Sequence, residues 1–123
     1  MPKKILIVDD DPVVVRLVES ILTDRNYEVS SAIDGLDALV KIKNQNPDLV
    51  ILDIVMPEIN GYDVAFELRF NRDFEQIPIV ILTETEKELD DKIAERVNIA
   101  YLPKPVDPKP LIAKIEDFLK GNK

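Results

Sequence analysis

Three carboxylates, a hydroxyl and an ammonium stand where one pocket could use them all. Asp9 and Asp10 follow the apolar run Ile5–Val8, and Asp53 follows Leu49–Leu52. Thr83 follows Ile79–Leu82, and Lys104 comes soon after the short run Ala100–Leu102. Aspartates that converge repel one another, so such a group either keeps a proton or binds a cation. An all-oxygen, carboxylate-rich site favours a hard ion, Mg²⁺ above all where phosphate is involved. A carboxylate can also act as a nucleophile and become an aspartyl-phosphate. Transfer of that kind needs positive charge and hydrogen-bond donors around the equatorial oxygens, which the metal, Lys104 and Thr83 would supply. Taken singly, each residue has a plainer reading: strand-end aspartates are commonly caps or turn formers, and a lone lysine or threonine is ordinary surface. Asp11, directly before Pro12, reads as such a cap. The weight lies in the joint pattern.

The elements that must position these groups are written in the hydrophobic periodicity. Apolar runs at Ile5–Val8, Glu28–Ala32, Leu49–Leu52, Ile79–Leu82 and Ala100–Leu102 alternate with stretches of helical spacing. The helical sets are Leu17, Val18, Ile21 and Leu22; Leu36, Leu39 and Val40; Val64, Ala65 and Leu68; Leu89, Ile93 and Val97; and Leu111, Ile112, Ile115, Phe118 and Leu119. Alternating strand and helix implies a parallel sheet covered on both faces. ILIV, LVIL and IVIL carry no polar face, so the first, third and fourth strands belong in the middle. The half-polar Glu28–Ala32 and the short fifth run suit the edges. This agrees with a doubly wound α/β sheet of order 2-1-3-4-5, flavodoxin-like, whose crevice lies beyond the carboxyl ends of the strands. Composition alone leaves the order within the middle open. Asp11-Pro12 and Asp107-Pro108 read as helix starts, Asn46-Pro47-Asp48 and Asn60-Gly61 as turns.

Composition narrows the class. The 123 residues amount to one domain, spanning 1–123, with no repeat, linker or low-complexity tract. No apolar run approaches a membrane span, and the start MPKKILIV is too short in its apolar part for a signal peptide. With no cysteine, disulfides and thiolate chemistry are excluded. The expectation is a soluble, cytoplasmic domain without membrane contact. Its net charge of −8, with no basic run beyond Lys3-Lys4, argues against direct binding of nucleic acid.

Together ILIVDDDP, VILDIVMPEINGYDV, IPIVILT and YLPKPVDP resemble the receiver domain of two-component response regulators, over essentially the whole chain and in the right order. The resemblance implies that Asp53 is the phosphoacceptor, Asp10 a direct Mg²⁺ ligand and Asp9 a ligand through water or by charge. Val55 would give the metal its backbone carbonyl. Thr83 and Lys104 would hold the phosphoryl oxygens, with a cis proline at Pro105, and Tyr101 matches the switch aromatic that turns inward when the threonine moves. Receivers take their phosphoryl group from a phosphohistidine on a sensor kinase or phosphotransfer protein. This chain has no histidine, so the donor is another domain or protein.

Three positions depart from the family pattern. The residue after the threonine is usually small, whereas here it is Glu84, which either points to solvent or disfavours an incoming phosphoryl group. The usual glycine four residues before the switch aromatic is replaced by Val97, and Asn98 is suited to close the preceding helix instead. Val55 and Thr85 occupy positions that tune hydrolysis in the family, and neither can orient water as a base, so a long-lived phosphoryl state is expected. The first helix carries Val13, Val14, Val15, Leu17, Val18, Ile21 and Leu22; a broad core contact is the first reading, an exposed kinase-docking remainder the second. By resemblance, the fourth helix, fifth strand and fifth helix form the output and dimer face, here with Lys87, Lys92, Tyr101 and Lys114, toward a downstream protein or effector domain.

Other functional classes fit these residues less well than a signalling switch. A flavin electron carrier needs a Ser/Thr/Gly-rich loop where DDDP stands. A hydrolase with an aspartate nucleophile lacks a second acid at Val55, so metabolic turnover is not expected, and no nucleotide-binding glycine motif occurs. A pseudo-receiver or scaffold with impaired phosphorylation is the alternative, on the strength of Glu84.

Overall fold

A computed structural model describes residues 2–54, 61–84 and 96–121. Five strands, β1 (Lys4–Val8), β2 (Glu28–Ala32), β3 (Leu49–Asp53), β4 (Ile79–Thr83) and β5 (Ile99–Pro103), form one sheet of order β2-β1-β3-β4-β5. Every neighbouring pair is parallel. The described helices are α1 (Pro12–Thr23), α2 (Gly35–Gln45), α3 (Gly61–Arg69) and the C-terminal α4 (Pro108–Gly121).

The unbroken apolar strings of the central strands follow from burial on both faces. Successive side chains alternate across the sheet. Leu6, Val8, Val50, Leu52, Ile79 and Ile81 pack with Ala38 and Ile42 of α2 and Val64, Ala65 and Leu68 of α3. Ile5, Ile7, Leu49, Ile51, Val80 and Leu82 pack instead with Val18 and Leu22 of α1 and Leu111 and Ile115 of α4. Each fully buried Leu or Ile contributes about 2 kcal/mol relative to an exposed one, so this double core fixes the strand order firmly. The half-polar β2 and β5 lie at the edges, where partial exposure is tolerated. Among the described residues no helix is long and apolar enough to cross a membrane.

The helix starts obey local chemistry. Asp11 Oδ1 accepts from the Val13 N–H at 2.9 Å, and Pro12 occupies the first helical position. Asp107 Oδ1 accepts from the Lys109 N–H at 3.2 Å ahead of α4. The broad-contact reading of α1 is corrected in part: Val18 and Leu22 are buried, but Val13 and Leu17 are exposed, because twelve residues of one helix cannot turn every apolar side chain to one face. Gly61, expected within a turn, is the first residue of α3.

Asn98 adopts φ 57°, the left-handed conformation its residue type favours, between the helical Arg96 and β5. The Arg69 side chain of α3 fastens this junction. Its Nε donates to the Val97 carbonyl at 2.5 Å, and its Nη2 donates to the carbonyls of Ile77 (2.6 Å) and Asn98 (3.1 Å). Burial holds the Arg69 pKa down to about 10. Replacing Asn98 by glycine should leave stability nearly unchanged, whereas Asn98→Val should lose about 1–2 kcal/mol in urea denaturation, since a β-branched residue is strained at positive φ. Equal stability of the valine variant would contradict this reading of the junction.

Candidate functional site

The parallel sheet delivers five chemically active side chains to one rim. Asp9 follows β1 directly and is buried, with 1% of its surface exposed, while Asp10 beside it is exposed. Asp53 and Thr83 are the last residues of β3 and β4, and both are buried. Lys104 leaves β5 through a cis peptide bond to Pro105, and its backbone N–H donates to the Thr83 carbonyl at 3.0 Å. The Lys104 Nζ lies 3.3 Å from Asp9 Oδ2 and 3.1 Å from Asp53 Oδ1. These groups, with Asp10, Asp11, Ile54, Thr83 and Glu84, line a cavity of about 250 Å³.

Asp9, Asp10 and Asp53 each offer a carboxylate oxygen, all within 4.8 Å of one another. One ammonium faces three carboxylates, so the pocket carries an unbalanced negative charge. Its effect is legible in the acid–base behaviour of the groups. Desolvation raises the Asp9 pKa above 3.8, and the Asp53 charge adds to it; the Asp11 N–H, donating to Asp9 Oδ1 at 2.9 Å, and Lys104 oppose the rise. Burial alone would lower the Lys104 pKa, but its hydrogen bond to Asp53 and the charges of Asp9 and Asp53 together raise it above the ordinary lysine value. The ammonium therefore stays charged at neutral pH.

Asp11, the third acid of the run, caps α1 and takes no part in the Lys104 pairing described here. Glu84 lines the cavity with its side chain exposed. Tyr101 lies on β5 away from the cavity lining, half-buried, its hydroxyl hydrogen-bonded to that of Tyr62 at 2.9 Å. Val55, Thr85, Lys87 and Lys92 lie outside the described residues.

Two residues matter here in ways the sequence pattern concealed. Gly61 packs against the backbone of Asp53, where an added Cβ would stand 2.4 Å from the Asp53 carbonyl oxygen. Its N–H donates to the Ile54 carbonyl at 2.9 Å. Glycine is required at this position by close approach, not by a positive φ. Tyr62 follows it, and nothing in the spacing marks its pairing with a residue far along the chain.

Because the Asp9 pKa is raised, its contribution to stability is present below the unfolded value of 3.8 and is lost as pH rises through the folded pKa. In metal-free buffer Asp9→Asn should therefore be more stable than wild type at pH 7, by roughly 1 kcal/mol. The advantage should vanish near pH 3 in urea titrations, and an advantage independent of pH would contradict the assignment.

Residues 5–116 match the family model of the response regulator receiver domain. The chain is 34% identical over 121 residues to the alkaline phosphatase synthesis transcriptional regulatory protein PhoP of Bacillus subtilis, covering 98% of this chain and 50% of that protein. It is 37% identical over 126 residues to the response regulator MprA of a Mycobacterium species, covering 98% of this chain and 52% of that protein. The chain thus spans about half the length of these curated relatives. Among solved structures, the Vibrio cholerae chemotaxis protein CheY4 superposes with a TM-score of 0.85 at 28% identity, over 96% of this chain and 99% of that one. The receiver domain of a Pseudomonas aeruginosa sensor histidine kinase, solved with a magnesium ion coordinated in its active site cleft, gives 0.84 at 26% identity, over 98% and 99%. With the sheet order, the rim of acids and the paired lysine already in place, the conclusion is direct: this chain belongs to the response regulator receiver domain family of two-component signalling.

Proposed function

We propose that this receiver accepts a phosphoryl group on Asp53 from a phosphohistidine of a sensor kinase or phosphotransfer protein, and that the modification switches its binding to a downstream protein or effector domain. The observation that carries this reading is the Lys104 ammonium held between Asp9 and Asp53, at 3.3 and 3.1 Å, on the rim that also bears Thr83. An Asp53 carboxylate oxygen attacks phosphorus, the new O–P bond forms as the P–N bond breaks, and the departing imidazole nitrogen keeps the electron pair. Lys104 neutralises charge on the transferring group, and the Thr83 hydroxyl offers a hydrogen bond to an equatorial oxygen. Asp53 is largely buried and faces the cavity of about 250 Å³, so the donor reaches its carboxylate from that side.

The donor set fits a hard divalent cation, because three carboxylate oxygens converge and one ammonium leaves their charge unbalanced. Asp9, Asp10 and Asp53 would hold it, with the Val55 carbonyl as the further ligand the resemblance implies. When bound, Mg²⁺ supplies neutralisation of the phosphoryl oxygens. The relatives named as transcriptional regulators are about twice as long as this chain, and its net charge of −8 argues against contact of this domain itself with nucleic acid.

Incubation with acetyl phosphate and Mg²⁺, read by intact mass, should give one phosphoryl adduct that is absent in Asp53→Asn. No Asp53-dependent adduct, even with a phosphohistidine donor, would contradict the function. Glu84, on the lip of the same cavity, should slow the approach of a dianionic donor. Removing a unit charge near the entry is worth up to about 1 kcal/mol, so Glu84→Ala should raise the initial rate about two- to fivefold, less at high salt. Equal rates for the two proteins would assign Glu84 to bulk solvent; a rate unchanged and low in both would favour the scaffold reading.

A further inference from the structure

A groove of about 530 Å³ lies between α3 and the turn before β5, and it shares no lining residue with the acid cavity. That volume falls in the range of small-molecule sites. Ala65, Phe66 and Phe70 contribute to its lining from α3 and its end, and Val97 and Ile99 from the approach to β5. Phe66 and Phe70 stand 57% and 86% exposed, with ring centroids 6.4 Å apart and ring planes 29° from parallel. Two stacked rings open to water form a flat apolar surface, which exposed patches of a soluble domain rarely offer without use.

The polar side of the groove is cationic. Arg69 lines it, and the clamp on the Ile77, Val97 and Asn98 carbonyls occupies only its Nε and Nη2. Nη1 is buried and has no hydrogen-bond partner among the described residues. No described carboxylate pairs with this guanidinium either, and burial alone brings its pKa down to about 10. A desolvated cation held by neutral carbonyls keeps its charge uncompensated, and a buried donor left without an acceptor is costly. Arg96 is exposed in the same lining and enters no ion pair among the described residues. Glu75, also exposed, is the one acid of the described lining. Two arginines against one glutamate leave the groove at +1 in a chain of net charge −8. A purely structural clamp accounts for Nε and Nη2, but not for Nη1 or the uncovered rings.

We propose that this groove binds a small organic anion with a flat apolar body, its ring laid on Phe66 and Phe70 and its carboxylate paired with Arg69 and Arg96. The two oxygens of a carboxylate match the planar fork of a guanidinium. Nη1 gains the acceptor it lacks, and the ring removes apolar surface from water. A neutral ligand of the same shape leaves the charge of Arg69 uncompensated, and a cationic one meets two arginines. Charge therefore selects the ligand as strongly as shape does.

The test is an amide NMR titration of the full chain with 2-naphthoate, its neutral isostere 2-naphthamide and the cation 2-naphthylmethylammonium. The naphthoate should half-saturate at about 0.1–1 mM, as a ligand of this size allows. It should move the Phe70, Arg96 and Asn98 amides and leave those of Asp53 and Lys104 in place. The Arg69 guanidinium N–H signals should shift with it, which reads Nη1 directly without a substitution that loosens the clamp. The amide should bind at least about fivefold more weakly and the ammonium more weakly still. Phe70→Ala should weaken naphthoate and naphthamide alike, about three- to tenfold. Arg96→Gln should weaken naphthoate about two- to fivefold and leave naphthamide unchanged. Equal affinity for the three ligands, or Arg69 guanidinium signals that stay still while the ring binds, would overturn the anion site. So would shifts that map away from Phe70 and Arg96, or no saturation by about 5 mM.

Discussion

The structure turns on one ammonium group placed between two carboxylates. Asp9 and Asp53 sit at the ends of adjacent parallel strands, both buried, with Asp10 beside them. Bringing such charges together in a partly dry pocket is unfavourable unless cations join them. Lys104 supplies one positive charge at 3.1–3.3 Å from both, and a residue of negative charge remains. That remainder is the chemical property of the site. It gives the pocket the donor set that a hard cation favours, which is what the proposed function draws on. The raised Asp9 pKa, set by desolvation first, shows that the site is held at a cost to stability.

The rest of the fold supplies that cost and fixes the spacing. Parallel strands of five residues, buried on both faces, end level with one another, so their last residues share a rim. Asp53 and Thr83 are themselves strand residues, and the backbone N–H groups of Asp9 and Lys104 donate to the Ala32 and Thr83 carbonyls, so four of the five groups are positioned by sheet hydrogen bonding. Asp11 secures the start of α1 by capping it, and Gly61 lets α3 begin hard against the Asp53 backbone. Precision comes from backbone placement, which is what a site of small side chains needs.

How much of this was legible in the sequence depended on whether the signal was local. The doubly wound sheet and its edge strands could be read because burial on both faces writes unbroken apolar runs, and edge strands write mixed or short ones, while the order within the middle came from agreement with the doubly wound pattern. Asp9, Asp10, Asp53, Thr83 and Lys104 could be read because the sheet converts position at a strand end into position at a common rim. The strands run a residue further than the apolar runs at Asp53 and Thr83, since the hydrogen-bond ladder does not stop where apolarity does. Gly61 looked like a turn residue because glycine marks both turns and close approaches, and only the contact distance separates them. Tyr62–Tyr101 and the grip of Arg69 on Ile77, Val97 and Asn98 join segments distant in the chain, which no periodicity encodes. The exposure of Val13 and Leu17 was hidden for a related reason: an apolar band states what a helix can bury, not what covers it.

The unbalanced charge of the acid cluster is tested most directly by Mg²⁺ titration against stability. Asp10 suits the comparison because it belongs to the convergent acids while the described ion pairs of Lys104 go to Asp9 and Asp53. Urea unfolding of the wild type should gain stability with Mg²⁺, by about 1.4 kcal/mol at tenfold excess over Kd, and Asp10→Asn should lose most of that gain. An equal gain in Asp10→Asn, or the same gain from NaCl at matched ionic strength, would contradict a cation site built from these carboxylates.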